Sequence, residues 1–493
     1  MMKLIIIQFI FFKIILKFLF AIHNFQLISL AIQRCRLSGD PCRLSVIIRQ
    51  ILFSSFRTQI SISDTGVGSC LKEFQDLKLC FNGSAVWDGA LAIKTTSLGD
   101  PDLFQYNLNL KESVPNKRLT KLPSMPKKKA IFSGTEVSMS TAEDMGVLLQ
   151  DMTTFLRKIH ILKIHNIAME LVAVCSDQQR LQHENVVLVT ELTLPSPDSS
   201  ILQQLTSGLE DYVCNHRNGL IKKCLSCFSS GENPKIGNGQ ACKKKHGNDV
   251  LAVEVVIVVS HSELSDPSNL SCLKAFEPKT EVLYFKDFSP CSVPQSALKA
   301  IKSVKWNNYG LTLKNIDDEG SSPSLEWENL PLNTHIDIAL HSYNKQVTMP
   351  PLRQRNQLET KLAKDAISLA LNDLKEMYTG ALLSDHALKI HSYAPDLARS
   401  IAGLILSSDD QNFQGECFSL LGMPMANIEG HSLEKCIQDK IISAIDMNDR
   451  KPPSSRCRPA APFLFGDDHV QESEYMCDEY DEGEEDDCVL MDY

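Results

Sequence analysis

The clearest local pattern in the chain is an alternating segment that runs into a glycine-rich turn. Ahead of Asp64, Ile60 and Ile62 fall on one face and serines fall on the other, which predicts a half-buried strand. The turn itself is Asp-x-Gly-x-Gly, with glycines at Gly66 and Gly68. A carboxylate at this strand end can accept a hydrogen bond from an adenine amino group, and glycine lets a ligand approach the backbone closely.

Hydrophobic spacing along the rest of the chain predicts a mixture of helices and strands. Apolar residues three and four positions apart predict helices, and alternating or short continuous apolar runs predict strands. The predicted helices span 23–37, 71–79, 141–161, 293–304, 357–378 and most of 380–450. The predicted strands span 43–51, 59–64, 130–139, 169–175, 185–194, 249–260, 273–285 and 335–342. Two polar segments are predicted as loops, a basic one at 115–129 and an insertion at 207–248.

The acidity of the chain is concentrated at one end. The 493 residues carry 60 acidic and 50 basic side chains, a formal net charge of -10. Thirteen acidic residues and no lysine or arginine lie in 467–493, which leaves 47 acids against 50 bases in the remainder. A nearly neutral body argues against a nucleic-acid-binding surface, which would be basic. The segment 451–493 is expected to be disordered, because it combines high charge with low hydrophobicity.

Cysteine usage and the apolar start of the chain bear on its compartment. Sixteen scattered cysteines in a chain of this size indicate reduced thiols, and hence the cytosol or the nucleus. Residues 1–22 are strongly apolar, but Lys13 and Lys17 interrupt them and no small-residue cleavage site follows. A secretory signal or anchor, a buried N-terminal helix and a misassigned start all remain open for this segment.

Two successions of motifs carry a resemblance to known families. A helix, a strand ending in Asp-x-Gly-x-Gly, a basic loop and a strand beginning with Gly134-Thr135 resemble the Bergerat-fold ATPase module of gyrase, MutL and histidine kinases. A helix, the sequence Trp306-Asn-Asn-Tyr309-Gly-Leu and the helical run from residue 361 resemble the transducer domain of the topoisomerase VI B family. The likeness is greatest to the meiotic members of that family in plants.

The resemblance implies an α+β fold in five parts. The expected parts are an apolar N-terminal helix at 1–22, a degenerate Bergerat ATPase-like (GHKL) domain at 23–145, an α/β transducer domain at 146–378 that contains the insertion loop and ends in a long helix, a helical C-terminal region at 379–450, and a disordered acidic tail at 451–493.

The resemblance also implies which residues would bind a nucleotide. They are Asp64, Gly66, Gly68, Gly134, Thr135 and Lys345. Lys345 matches the transducer lysine that reaches the γ-phosphate, and an ordinary surface-loop lysine is the alternative.

The chain departs from the ATPase pattern where hydrolysis needs it most. The position of the general base is occupied by Gln26, whose amide has no useful proton affinity near neutrality. The position of the magnesium ligand is occupied by Leu30, which offers no oxygen to a hard cation. The glycine-rich phosphate lid expected between residues 80 and 130 is absent. We therefore expect no catalytic residue in this chain and no required cofactor, and the sequence leaves open whether ATP binds without being hydrolysed.

By resemblance, the expected function is that of a non-catalytic B-like subunit in the nucleus. It would bridge and position A-type transesterase subunits, two copies or two different ones, in a heterotetramer that forms programmed meiotic DNA double-strand breaks. The chain contacts DNA through that complex, and other break-forming accessory proteins are possible partners. The partner-binding face is predicted on the long transducer helix, with packing inside the domain as the alternative. Its apolar positions are Leu358, Leu362, Ile367, Leu371 and Leu374.

Three further hypotheses follow from other features. A working nucleotide-gated ATPase subunit of a topoisomerase would need a carboxylate from elsewhere, and Glu73 is the nearest one after the turn. A membrane-anchored protein would use residues 1–22. A zinc site would draw on the cysteine-rich insertion, which contains Cys214, Cys224, Cys227 and Cys242, although the spacing matches no standard zinc finger.

Overall fold

Two mixed β-sheets, each packed against helices, form most of the described chain in this computed structural model. The described residues are 24–51, 58–75, 87, 89–112, 114–128, 130–176, 182–190, 200–216, 234–244, 250–261, 279–317, 323–330, 334–345, 355–378, 382–423 and 430–450. The apolar segment 1–22 and the acidic segment 451–493 lie outside them, and so do the predictions made for those two segments.

The first sheet has eight strands. They are β1 (Cys42–Gln50), β2 (Thr58–Asp64), β3 (Ala90–Thr96), β4 (Asp102–Asn109), β5 (Leu119–Pro126), β6 (Gly134–Thr141), β7 (Ile167–Ser176) and β8 (Gln182–Thr190). The spatial order is β5-β4-β3-β6-β2-β1-β7-β8. All neighbours are antiparallel except β1 and β7, which are parallel. A helix joins β6 to β7, so the chain crosses over β2 and β1 before it pairs with β1 in parallel.

Helices cover one face of the first sheet. They are α1 at 24–38, the short α2 (Leu71–Gln75) and α4 (Met145–His160), whereas the short helix α3 (Pro115–Arg118) connects β4 to β5. Leucines and isoleucines of α1 and α4 share a single core with alternate residues of the strands. Phe25 of α1 stacks on Phe155 of α4 with ring centroids 4.1 Å apart. The Asp144 carboxylate caps α4 by accepting the backbone N–H groups of Gly146 and Val147, as acidic N-caps commonly do.

The second sheet has seven strands, and helices cover both of its faces. The strands are β9 (Lys235–Lys244), β10 (Val250–His261), β11 (Lys279–Lys286), β12 (Ser289–Cys291), β13 (Leu313–Asp317), β14 (Ser324–Trp327) and β15 (Thr334–Asn344). Their order is β13-β14-β11-β15-β10-β9, and β12 pairs with β11. On one face pack α6 (Gln295–Ser303) and α7 (Arg355–Met377). On the other pack α5 (Ile201–Asp211) and the residues directly after α4, Ile161 and Leu162.

Two glycines of β9 bring α7 into direct contact with the second sheet. A Cβ added at Gly237 would lie 2.2 Å from the carbonyl oxygen of Ala370, and one added at Gly239 would lie 2.0 Å from that of Ala366. Real side chains do not approach backbone this closely, so only glycine is compatible with this packing. The β9 strand therefore serves as a groove for the helix.

The Trp306–Tyr309 motif joins three elements. Trp306 is buried, packs edge-on against Trp327 at 5.0 Å and donates its indole N–H to the carbonyl of Ile301 at 2.9 Å. The hydroxyl of Tyr309 lies 2.8 Å from Oδ1 of Asn372 on α7. Gly310 follows with φ of +67°, a conformation that favours glycine. The motif resembling the transducer is thus a packing junction in the structure.

Three helices form the C-terminal region. They are α8 (Asp385–Ser407), α9 (Gln411–Leu421) and α10 (Gly430–Arg450). Their common core is small, and its fully buried members are Ala398, Ala402, Ile405, Phe418, Leu433 and Ile437. No helix among the described residues has both the length and the apolar run needed to cross a bilayer.

Both ends of this three-helix region meet at one ionic contact, the Asp449 staple. Asp449, near the end of α10, lies 2.6 Å from Nζ of Lys375 on α7. It also accepts hydrogen bonds from the backbone N–H of Ser384 at 2.9 Å and from its hydroxyl at 2.6 Å. Burial alone would raise the pKa of Asp449, but the hydrogen bonds from Lys375 and Ser384 together lower it.

The Asp449 staple gives the stability of this chain a predictable dependence on pH. Because the folded-state pKa of Asp449 is lowered, its stabilisation is present above the ordinary aspartate pKa of about 3.9 and is lost as the pH falls through the folded value. We expect Asp449→Asn to cost about 2 kcal/mol at neutral pH. That difference should shrink below about pH 4, measured by thermal unfolding across pH. The matched control is Asp396→Asn, in an exposed pair with Arg399, which should have little effect at any pH.

The α+β class predicted from the sequence is confirmed, and most predicted helices and strands are present within a few residues. Two predicted loops are wrong. Residues 119–126 form the edge strand β5, whose polar, mostly exposed sequence hides the alternation of a strand. The insertion at 207–248 contains the end of α5 and the whole of β9, whose glycines and lysines imitate a loop composition. The first sheet also continues beyond residue 145, through β7 and β8.

Candidate functional site

The Asp64 turn lies at the end of β2, beside the start of β6. Asp64 pairs with Thr135 in the register of these strands, so the two motifs predicted to bind a nucleotide are neighbours. Both side chains are buried. The structure therefore brings together the five predicted residues of the first sheet, which are Asp64, Gly66, Gly68, Gly134 and Thr135.

An arginine from α1 forms a hydrogen-bonded ion pair with the carboxylate of Asp64. Nε and Nη2 of Arg34 lie 2.9 and 2.7 Å from Oδ2 of Asp64, and the backbone N–H of Gly66 lies 3.0 Å from Oδ1. Nη1 of Arg34 donates to Glu73 on α2. We call the three side chains Arg34, Asp64 and Glu73 the Arg34 clamp. Its members come from α1, β2 and α2, and Arg34 itself is 4% exposed.

Burial and the Arg34 guanidinium act in opposite directions on the pKa values of the two carboxyls in the clamp. Burial raises the pKa of both Asp64 and Glu73, while the guanidinium acts to lower each. Two carboxyls share a single guanidinium, so one cation holds together groups that would otherwise repel each other. The hydrolytic role considered for Glu73 does not fit this arrangement, because its carboxylate is engaged by the Arg34 guanidinium.

Hydroxyl groups form the other side of the turn. Oγ1 of Thr135 lies 2.9 Å from Oγ1 of Thr95 and 2.9 Å from Oγ of Ser69, and the backbone N–H of Ser69 donates to Oγ1 of Thr95 at 2.7 Å. Each of these three side chains is thus already used within the protein. The hydroxyl that the Gly-Thr motif would offer to a phosphate is part of a network that ties β3, β6 and the turn together.

The residues in the positions of the catalytic base and the metal ligand have no catalytic geometry. Gln26 is exposed on α1, and Leu30 is half-buried on the same helix. Neither side chain belongs to the Arg34 clamp. No group of three or more histidine, cysteine or acidic side chains suited to a metal ion occurs among the described residues.

Lys345 belongs to the second sheet rather than to the turn. It is exposed at the end of β15, where its backbone N–H donates to the carbonyl of Val250 at 2.9 Å. Among the described residues no contact joins it to Asp64. Its role as a γ-phosphate ligand therefore has no support in this arrangement, and the surface-lysine alternative agrees with its position.

The predicted partner-binding residues of α7 lie inside the second core. Leu362, Ile367, Leu371 and Leu374 are buried against the second sheet and α6, and Leu358 packs half-buried at the same seam. Their assignment to a partner surface is wrong for this conformation. The helical spacing was identified correctly, but the glycine groove of β9 and the helix α6 already cover that face of α7.

The zinc candidates are only partly within the described residues. Cys214 lies half-buried in the turn after α5, and burial beside Glu210 and Asp211 raises the pKa of its thiol. Cys242 is exposed on β9. Cys224 and Cys227 fall outside the described residues, so the zinc hypothesis stays a prediction.

One buried polar cluster was missed by the sequence reasoning. Glu254 of β10 and His341 of β15 face each other in register, and both are almost fully buried. The hydroxyl of Tyr343 and the amide of Gln240 donate to Oε1 of Glu254, each at 2.8 Å. Burial, assisted by nearby Arg36, lowers the pKa of His341 to about 3, so its imidazole is neutral at physiological pH. A glutamate in the middle of the apolar run of β10 was the available sequence signal.

Two family models match the chain over the second sheet and the C-terminal helices. The MTOPVIB middle domain matches residues 202–378, and the meiotic topoisomerase VIB-like C-terminal domain matches residues 386–450. This chain belongs to the meiotic topoisomerase VIB-like family. The family membership expected from the Trp306 motif and the helical run after residue 361 is thereby confirmed. No curated protein matches the chain.

Solved structures that match the chain include a gyrase subunit, a region of topoisomerase II and a domain of a DNA repair protein. The B-subunit of DNA gyrase from Myxococcus xanthus has 11% identity, covers 71% of this chain and 88% of its own, and has a TM-score of 0.35. The ATPase region of Saccharomyces cerevisiae topoisomerase II has 11% identity, coverages of 71% and 86%, and a TM-score of 0.30. The N-terminal domain of a DNA repair protein has 12% identity, coverages of 69% and 91%, and a TM-score of 0.33. Likenesses at this level carry no argument about the chemistry of this chain.

Proposed function

We propose that this chain is the non-catalytic B-like subunit of a nuclear, topoisomerase VI-like complex that forms meiotic DNA double-strand breaks. It bridges and positions A-type transesterase subunits, two copies or two different ones, in a heterotetramer, and those subunits carry the DNA-cleaving chemistry. The observation that carries the proposal is the pairing of family membership with a disabled ATPase site. Its base position is Gln26, its metal position is Leu30, and Arg34 occupies the carboxylate of Asp64.

A scaffold of this kind needs an exposed apolar surface to bind its partners. The apolar face of α7 is buried in the second core and does not provide one. The C-terminal helices have such a surface on α8. Tyr393 is 69% exposed, Leu397 50% and Leu404 69%, and Ile390 continues the row. Spacings of three, four and seven residues place these four side chains along one stripe of the helix, which we call the α8 stripe. The opposite contacts of α8 are made by buried alanines.

We propose that an A-type transesterase subunit covers the α8 stripe. Single exposed apolar side chains are ordinary, but a continuous row on one helix face is typical of a protein-binding site. The stripe lies within the part of the chain that the family's C-terminal domain model matches. Recognition of one helix face by an apolar groove or a second helix would suit this geometry.

Co-purification of the full chain with candidate A-type subunits tests the function and the surface together. We expect the wild-type chain to form a stable complex, and we expect Tyr393→Asp with Leu397→Asp to weaken it at least about tenfold because two charges would enter the contact. Both side chains are exposed, so the free variant should unfold at nearly the wild-type temperature. Arg399→Asp, exposed on a different face of α8, is the matched control and should bind normally.

The possible outcomes separate the two parts of the proposal. Binding that survives the double substitution would exclude the α8 stripe while leaving the subunit role intact. Failure of the folded wild-type chain to bind any A-type subunit would contradict the subunit role itself.

A further inference from the structure

The fold family implies a nucleotide at the Asp64 turn, and the residues present do not fit one. A bound adenine would need a free acceptor on Asp64. Oδ2 already accepts two bonds from Arg34, and Oδ1 accepts the backbone N–H of Gly66. The Asp64 carboxylate and the Arg34 side chain are both shielded from solvent. Oδ1 keeps one further lone pair, but with the side chain fully shielded no acceptor is presented to solvent where a base would be recognised.

The space beside each glycine of the site is occupied by the backbone of this chain and is not open to a ligand. A Cβ at Gly66 would lie 2.5 Å from the carbonyl carbon of Arg34, and one at Gly68 would lie 2.4 Å from the carbonyl oxygen of Thr96. A Cβ at Gly134 would lie 2.2 Å from the carbonyl oxygen of Asp64. In each case glycine permits a contact between two parts of the protein. The helix α1 therefore presses directly on the turn.

The Arg34 clamp joins three elements around the Asp64 turn. Arg34 belongs to α1, Asp64 ends β2, and Glu73 lies on α2. Arg34 directs two N–H groups to Oδ2 of Asp64 and a third to Glu73, and these charge-assisted hydrogen bonds from one planar group fix its distance and orientation. The backbone N–H of Val67 also bonds back to the carbonyl of Arg34, so side chain and main chain reinforce the same junction.

We propose that the Arg34 clamp takes the place of a nucleotide, so that the first-sheet module of this chain is held in one conformation without ATP. An internal cation is permanent, whereas a bound nucleotide comes and goes with binding and hydrolysis. The module then serves as a rigid part of the scaffold. This inference concerns the chain alone and does not depend on which partner it binds.

Thermal unfolding of the full chain, with and without millimolar Mg-ATP or Mg-ADP, tests the inference. A ligand that binds the native state raises its unfolding temperature, so the wild-type Tm should not move with either nucleotide. Arg34→Met should lower the Tm by on the order of 5–10 °C, because it leaves the buried carboxyl of Asp64 and the half-buried carboxyl of Glu73 without their cation. The matched control is Arg43→Met, whose guanidinium is 65% exposed in a pair with Glu170, and its Tm should change by about 2 °C or less.

A charge-relieved variant distinguishes ionic pairing from packing. Adding Asp64→Asn and Glu73→Gln to Arg34→Met removes the stranded charges and should recover part of the lost Tm. If Arg34→Met alone gives no folded protein, recovery of folded protein in the triple variant supports the clamp, and no recovery overturns it. A rise of the wild-type Tm with either nucleotide, or equal Tm values for Arg34→Met and Arg43→Met, would overturn the inference as well. Because no A-type subunit enters the measurement, its failure is distinct from a failure of the proposed function.

Discussion

Ile367→Asp should prevent the second sheet from forming its native core. Ile367 is fully buried between α7 and the sheet, and a carboxylate placed there would lose its hydration without gaining a partner. The loss of apolar burial and the desolvation of the new group together should cost about 5 kcal/mol or more. We expect little soluble protein, and a circular dichroism spectrum and thermal transition far from those of the wild type.

The control for this substitution lies two residues along the same helix. Leu369 is 48% exposed, so Leu369→Asp should leave the Tm within a few degrees of the wild type. Native-like stability of Ile367→Asp would mean that α7 can leave the second core. In that case the apolar seam of α7 would again be available to a partner. Loss of binding by a poorly folded Ile367 variant would report unfolding and not a lost interface.

Gly239→Ala should be the most disruptive single-methyl substitution in the second sheet. The new Cβ would lie 2.0 Å from the carbonyl oxygen of Ala366 and 2.6 Å from the backbone nitrogen of Ala370. Both atoms belong to the backbone of α7, which cannot move aside as a side chain would. Helix and strand would have to separate, at a cost of about 3 kcal/mol. A lowered midpoint in denaturant unfolding, with an unchanged slope, would be the expected signature.

Gly403→Ala is the control for Gly239→Ala, and we expect it to change the stability in the opposite direction. Gly403 lies within α8, and nothing lies within 4 Å of the position its Cβ would take. Alanine is favoured over glycine inside a helix by about 1 kcal/mol, so this variant should be slightly stabilised. A neutral or stabilising Gly239→Ala would show that α7 does not pack in the β9 groove.

The local spacing of apolar residues was sufficient to predict most helices and strands. The prediction failed where tertiary packing, and not local composition, determines the structure. The spacing of Leu362, Ile367 and Leu371 correctly predicts a helix with one apolar face, but periodicity does not say whether that face meets its own domain or a partner. The strand β9 has glycines where a strand ordinarily has side chains. Those glycines make sense only beside α7, which follows more than 100 residues later in the chain.

The candidate site could be located from the sequence, but its chemistry depends on a side chain from another element. The motif at Asp64 and the strand at Thr135 were identified, and they are adjacent as expected. Nothing in the turn itself shows that Arg34 reaches across to it. The available signal was an arginine on the apolar stripe of α1, seven residues after Leu27, where a buried charge requires a partner.

The Asp449 staple also determines how the C-terminal helices can move. The first residues of α8 and the last residues of α10 meet at Lys375, and the start of α8 also packs against Gly310. The three helices are therefore attached to the second-sheet unit at one end, and this attachment acts as a pivot. A pulling force applied near Asp449 would be transmitted directly to α7 through Lys375, without passing through α8 and α9. A torque applied through the outer surface of α8 would instead swing the three helices together about that pivot, as one lever.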